Sequence, residues 1–290
     1  GGGGGGGARG GGGGGETRFA ADLDGEAMWY LLIVKLEDLQ TPVEALSKAV
    51  LPEDAEEIEA SLADATEAPI PMPVLPSFYP WEEVYPFLQP LIDCAEEIKA
   101  EAKAIPMWAE WPEYHFRDGG NAEWNVFPLT YTFPATDPHA QRWLEQPCGL
   151  CPATTRVLRK IPGLRTALFS RLGPQTRLSG HTGWEDLANH VLRVHLSLTV
   201  PKRNRKPSGL AGEDLSSCGV WVNEEVWGHQ EGQLLVFDDS LVHGAYNHSD
   251  EDRVVLIIDI ERPPWLPPGR ATGGHTPELD AFIDQFCAGV

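Results

Sequence analysis

Leu192, Val194, Leu196, Leu198 and Val200 alternate with Arg193, His195, Ser197 and Thr199. This period of two predicts a half-buried strand over 191–200. Gly219–Val222, Gln233–Phe237 and Val254–Ile260 are further short apolar runs, separated by Gly, Asn, Asp and Ser, and read as strands of the same kind. Upstream the period differs. Within Trp81–Ala104, Leu88, Leu91, Ile92, Ala95 and Ile98 recur at steps of three and four, which predicts a helix. Pro86 and Pro90 confine its regular part to the second half. Trp124-Asn-Val-Phe-Pro-Leu129 reads as a strand and Pro152–Leu168 as a short helix with its connection, the two-residue period taking over from Ala167. Helices followed by short strands with turn residues between them point to a mainly β fold, a barrel or jelly roll with an N-terminal helical cover.

The first fifteen residues are glycine apart from Ala8 and Arg9. A tract with no side chains to bury is expected to be disordered. Residues 16–75 form an acidic segment and linker: 14 acidic residues stand against three basic ones between Glu16 and Glu67, Glu37–Ala65 has helix-like composition, and prolines fall at 69, 71, 73, 76 and 80. No helix or central strand tolerates that proline spacing. The compact domain is expected over 76–270, with 271–290 as a tail or helix. Met28–Val34 is apolar but only seven residues long, too short for a bilayer, and its acidic flank is unlike a secretory leader. The expectation is therefore no membrane span, with the cytoplasm as default compartment. A formal charge of −21 disfavours a nucleic-acid surface. Five cysteines make no disulfide framework in 290 residues, and Cys148-Gly-Leu-Cys151 reads as two semi-buried thiols in a Pro-flanked turn.

Nine histidines compete for attention. His115, His139, His229 and His275 lie in polar or Pro/Gly-rich stretches and read as surface residues. His181 sits in the tight turn Ser179-Gly-His-Thr-Gly183, and His243 follows the strand that ends at Phe237. Two imidazoles at the edges of separate strands suit an iron site at a barrel mouth. Arg193 and His195 share one strand face, which alternation alone would leave in solvent. Arg253 opens an apolar strand, where a charge needs an anionic partner; a ligand carboxylate would satisfy its paired N–H donors. The basic run Lys202–Lys206 reads as a solvated loop. A zinc hydrolase would want a third protein ligand, and a non-catalytic cupin-like binding module would not need the metal pair.

The ordered set Phe169-Ser-Arg-Leu172, His181-Thr-Gly183, Asn189, Leu192-Arg-Val-His-Leu196, Glu231-Gly232, Phe237-Asp-Asp-Ser240, His243 and Arg253 resembles the aspartyl/asparaginyl β-hydroxylases, over roughly Tyr79–Pro264. The resemblance implies a double-stranded β-helix (jelly-roll, cupin-like) and an Fe(II)- and 2-oxoglutarate-dependent dioxygenase that uses O2 to hydroxylate an unactivated C–H. The substrate it implies first is the β-carbon of Asp or Asn in a peptide or protein. The alternative is a lipid acyl chain or small molecule, because bacterial relatives hydroxylate acyl chains. By motif, it implies His181 and His243 as iron ligands. Ser170 and Arg253 would take the distal carboxylate of 2-oxoglutarate, Arg193 and His195 its metal-proximal carboxylate, and Trp124 would line the cleft. Two departures stand out: a longer spacing through Trp184–Ala188, and the enlarged loop containing Lys202–Lys206.

Most non-haem iron oxygenases carry a carboxylate two residues after the first histidine. Here that position is Gly183, as in the resembled family. Either iron is held by two histidines, or Glu185 or Asp186 folds back to replace the carboxylate. The two-histidine site is favoured, since both acids suit the start of a short helix. Asp238 and Asp239 are weaker candidates, because Asp after a strand usually caps a turn.

Overall fold

Residues 75–118, 123–202 and 216–287 are described by the structure, a computed structural model, with side chains to 285. The glycine tract, the expected helix over 37–65, Met28–Val34 and all of the basic loop except Lys202 lie outside the described residues. Residues 74–290 form one compact unit.

Two antiparallel sheets build it. The larger runs, in order, β1 (Phe78–Tyr79), β11 (Leu234–Phe237), β8 (Val191–Thr199), β13 (Arg253–Glu261), β6 (Leu164–Leu172), β4 (Trp124–Thr132) and β2 (Ala109–Glu110), with β5 (Gln141–Trp143) also paired to β4. The smaller runs β10 (Glu225–Gly228), β9 (Cys218–Val222), β12 (His243–Asn247), β7 (Thr176–Leu178) and β3 (Arg117–Asp118). From β6 onward the chain passes repeatedly from one sheet to the other. This is the double-stranded β-helix, a mainly β fold with helices ahead of it.

Side-chain alternation divides the large sheet into two faces. Leu192, Val194, Leu196 and Leu198 of β8, Leu256, Ile258 and Ile260 of β13, and Phe169 of β6 face outward, under a helical cover. That cover comprises α1 (Trp81–Val84), α2 (Gln89–Asp93), α3 (Ala95–Ala104), α4 (Glu145–Leu150) and α5 (Pro152–Leu158), which contribute Leu91, Ile98, Cys148 and Leu158. A fully buried Leu or Ile contributes about 1.5–3 kcal/mol, so this layer anchors the sheet. The other face turns into the barrel, where Trp124, Val126, Leu172, Leu235 and Phe237 meet Val220, Val222 and Ala245 of the small sheet.

Three expectations change. The strand over 191–200 is buried on both faces, because its polar side faces the barrel lumen. β6 starts at Leu164, earlier than the period of two suggested. Its second residue, Arg165, is 4% exposed and donates to the Ala135 carbonyl, so a buried cation breaks the apolar pattern. Cys148 lies in α4, where the expectation was a turn, and both Cys148 and Cys151 are buried free thiols. Burial pushes the Cys151 thiol up to about 12.

Asn247 ties the end of β12 to the start of β13. Its amide donates to the carbonyls of Leu172 (2.9 Å), Gly173 (2.9 Å) and Glu251 (2.8 Å), and its carbonyl oxygen accepts from Ser249 N (3.1 Å) and Ser249 Oγ (2.7 Å). Asn247→Ala strands several buried groups at once. It is expected to lower the unfolding free energy by about 2–4 kcal/mol in urea titrations; a loss below about 0.5 kcal/mol would show that the turn is held elsewhere.

Candidate functional site

His181 and His243 face each other as an antiparallel bridge between the segment after β7 and the start of β12. His181 N donates to His243 O at 2.9 Å and His243 N to His181 O at 2.8 Å. Directly opposed residues of such a pair point to the same side of a sheet. The two imidazoles therefore meet inside the barrel, ring centroids 4.5 Å apart. Each Nδ1–H donates to a carbonyl two residues back, Ser179 O at 2.7 Å and Leu241 O at 2.8 Å. That fixes the tautomer and leaves both Nε2 atoms with lone pairs, the form a metal ligand requires. Burial, then the neighbouring His243, pushes His181 down to about 3. Burial likewise takes His243 to about 4.

Asp239 lies beside the pair, its Oδ1 3.3 Å from His243 Nε2. It also fills the space of a side chain that Gly183 lacks: a Cβ on Gly183 would fall 2.0 Å from Asp239 Oδ2 and 2.7 Å from Ala188 Cβ. The ranking of acidic candidates is thereby reversed. Glu185, which opens the short helix α6 (Glu185–Ala188), is exposed and Asp186 Oδ1 lies 3.3 Å from His275 Nε2, so neither folds back towards the histidines. The turn-capping role expected of both aspartates belongs to Asp238 alone, whose Oδ1 accepts from Ser240 N at 3.0 Å and Ser240 Oγ at 2.7 Å. Asp239, one residue on, points inward. No cluster of three His, Cys, Asp or Glu close enough to hold a metal occurs among the described residues, so Asp239 stands next to the histidine pair without completing a triad.

Arg193, His195, Arg253 and Ser170 all project from the lumenal face of the large sheet, and with Trp124, His181 and His243 they line one small cavity. Arg253 is 1% exposed, yet its Nε and Nη1 meet no acceptor among the described residues. Burial lowers its pKa to about 10, which still leaves it cationic at neutral pH. Ser170 Oγ accepts from Trp124 Nε1 at 3.1 Å, so its own proton is free to donate into the cavity. His195 Nδ1 lies 3.3 Å from His229 Nε2, while His195 Nε2 is buried without a partner among the described residues. His229, expected at the surface, is 2% exposed. The segment Gly228–Gln233 connects a strand of the small sheet to one of the large sheet, and that crossing carries His229 inside. Burial and the nearby Arg253 hold it well below its ordinary pKa.

Arg193 is committed to protein carboxylates. It donates to Asp259 through Nε (2.8 Å) and Nη2 (3.0 Å), and its Nη1 lies 2.5 Å from Asp239 Oδ1. Burial opposes the charge, but the two carboxylates hold its pKa above the ordinary value. Asp259 lies directly opposite Arg193 in the β13–β8 ladder, so the two side chains share the lumenal face.

Beyond Arg193 and His181 the small cavity adjoins a wider one, which also shares Trp124 and Ile257 with it. Aromatic and aliphatic side chains dominate its lining, including Trp111, Phe133, Trp184, Leu168 and Leu187. Trp111 stacks between Trp124 (4.8 Å) and Trp184 (5.9 Å), so the residues that lengthen the Gly183–Asn189 spacing enter the cavity wall. His275, expected at the surface, is partly buried and lines it too.

Comparison with known proteins places these residues in context. The family described as aspartyl/asparaginyl beta-hydroxylase matches residues 93–263, more than half of the chain. An ornithine lipid ester-linked acyl 2-hydroxylase of Rhizobium tropici is 41% identical over 119 residues, covering 41% of this chain and 37% of that one. The human aspartyl/asparaginyl beta-hydroxylase is 30% identical over 131 residues, covering 43% of this chain and 15% of that one. The matches thus span well under half the length of either relative. A solved 2OG-Fe(II) oxygenase family oxidoreductase of Burkholderia pseudomallei is 13% identical with a TM-score of 0.39, covering 60% of this chain and 80% of that one.

The buried imidazoles carry a pH signature. Unfolded histidines titrate near 6.5, whereas His243 and His181 stay neutral in the folded chain down to about 4 and about 3. Between about 6.5 and about 4 the unfolded state binds more protons, so stability falls as pH falls through that window. In chelator-treated protein, His181→Asn/His243→Asn should show a shallower loss of unfolding free energy across the same window. An unchanged slope would mean that the pair is not held neutral by burial.

Proposed function

Since the chain belongs to the aspartyl/asparaginyl β-hydroxylase family, we propose that it is an Fe(II)- and 2-oxoglutarate-dependent hydroxylase acting on an apolar chain. The observation that carries the cosubstrate is Arg253: a buried guanidinium with two unpaired edges, facing a cavity that reaches both histidines. An isolated buried cation is costly unless an anion joins it. Ser170 Oγ–H supplies a donor beside it, and a carboxylate accepts from both. His195 Nε2, with its tautomer set through His229, would serve the other end of the dicarboxylate. Arg193 contributes charge there only with the donors that Asp239 and Asp259 leave over.

His181 and His243 are the residues that would hold iron: neutral, convergent and locked at Nδ1. Bound iron(II), with 2-oxoglutarate and O2, supplies the oxidising chemistry that places a hydroxyl on an unactivated C–H. The protein's part is to orient the dicarboxylate on Arg253 and to keep water from the buried pocket. Its wide cavity presents the substrate carbon beside His181.

The wide cavity favours an acyl chain over an Asp or Asn side chain. Its lining offers one arginine, Arg193, which Asp239 and Asp259 already neutralise, and two carboxylates, Glu113 and Asp259. An acidic side chain would meet no free guanidinium among the described residues there, whereas an apolar chain finds aromatic walls. Identity to the acyl hydroxylase points the same way.

Succinate formation from 2-oxoglutarate and Fe(II) should be accelerated by acylated amphiphiles and left unchanged by Asp- or Asn-containing peptides. The reverse preference would restore the peptidyl substrate, and no turnover under any condition would sink the oxygenase reading. Arg253→Met should weaken 2-oxoglutarate binding by about 2–5 kcal/mol, thirty-fold or more, with iron affinity retained. Unchanged 2-oxoglutarate binding would remove Arg253 from the site.

A further inference from the structure

The wide cavity is closed on one side by the C-terminal helix α7 (Pro277–Cys287), which contributes Leu279, Phe282 and Ile283 to its wall. Leu279 is 1% exposed, and Phe282 packs against Trp111 with ring centroids 5.8 Å apart. The helix is attached by two contacts of its leading segment. Thr276 caps it, accepting from Leu279 N at 3.2 Å, and the same hydroxyl donates to Glu113 Oε1 at 3.1 Å. Glu113 is itself 2% exposed and is oriented by Trp111 Nε1, which donates to its Oε2 at 3.2 Å. His275 bridges Asp186 (3.3 Å) and Asp280 (3.1 Å). The helix is thus seated against the cavity by directed polar contacts outside the apolar wall it presents.

We propose that α7 sets the length and girth of the chain the enzyme accepts, with Phe282 and Ile283 as the specificity-determining side chains and Glu113 as the residue that positions the helix. This rests on the apolar-substrate reading above. It follows from placement: a wall made of one helix, fixed at one end by a carboxylate–hydroxyl contact, changes the cavity's reach with each side chain it presents. Removing the Phe282 ring lengthens the space beyond Trp111; enlarging it to Trp shortens that space. Each further methylene accommodated is worth about fourfold in affinity. Loss of the Glu113–Thr276 contact should broaden the selection, because the wall is then held by the His275 contact alone and less closely.

The test is equilibrium binding of a homologous series of saturated monoacyl amphiphiles to the full chain, read by displacement of a fluorescent fatty-acid probe and independent of turnover. Wild type should show an optimum length. Phe282→Ala and Ile283→Ala should move the optimum to longer chains, with about fourfold gain per added methylene. Phe282→Trp should move it to shorter ones, and Glu113→Ala should flatten the profile while leaving 2-oxoglutarate binding unchanged. An optimum unmoved by both Phe282 substitutions would overturn the role of the helix and leave the apolar substrate standing. A sharp profile in Glu113→Ala would overturn the positioning role. Failure of wild type to bind any member of the series would overturn both the apolar reading and the inference built on it.

Discussion

The pair of backbone hydrogen bonds between His181 and His243 is the constraint on which the site depends. One histidine follows a strand of the small sheet and the other opens the neighbouring strand. Only their reciprocal N–H to carbonyl bonds bring both imidazoles to one side. A slip of one residue in that pairing would turn one ring out of the barrel. The Nδ1 contacts to Ser179 and Leu241 then fix which nitrogen faces the interior. The main chain therefore sets both position and tautomer before any ligand arrives.

Around that pair, charge is distributed unevenly. On one side lies a guanidinium whose Nε and Nη1 have no partner among the described residues; on the other, Arg193 is held by two carboxylates. The two arginines come from neighbouring strands and have opposite electrostatic character. One recess is left electropositive and suits a dianion, while the adjoining cavity is neutralised and walled by rings. A polar recess and an apolar cavity thereby share one border, formed by Trp124, His181, Arg193 and Ile257.

Much of this was legible in the chain, and the exceptions have physical reasons. Strand β8 announced itself by alternation, β9, β11 and β13 as short apolar runs between turn residues, and the motif residues by their order. Alternation could not tell solvent from lumen, which is why Arg193 and His195 first read as a wet face. His229 sat in a polar stretch whose burial comes from crossing between sheets, a property of topology. Asp239 was obscured by Asp238, because two adjacent aspartates look alike in sequence although a strand end sends them to opposite sides. The last helix was visible only as an ending, since what gives it meaning is Glu113, far away along the chain.

Arg253 carries a consequence for how this fold can change. A desolvated cation with open edges weakens the empty protein, and a neutral replacement of similar volume removes that cost. Selection for heat tolerance alone would thus tend to replace the side chain proposed here to hold the cosubstrate. Under that proposal robustness and chemistry pull this position in opposite directions, and a lineage without need of the cosubstrate should lose Arg253 early while keeping its barrel intact.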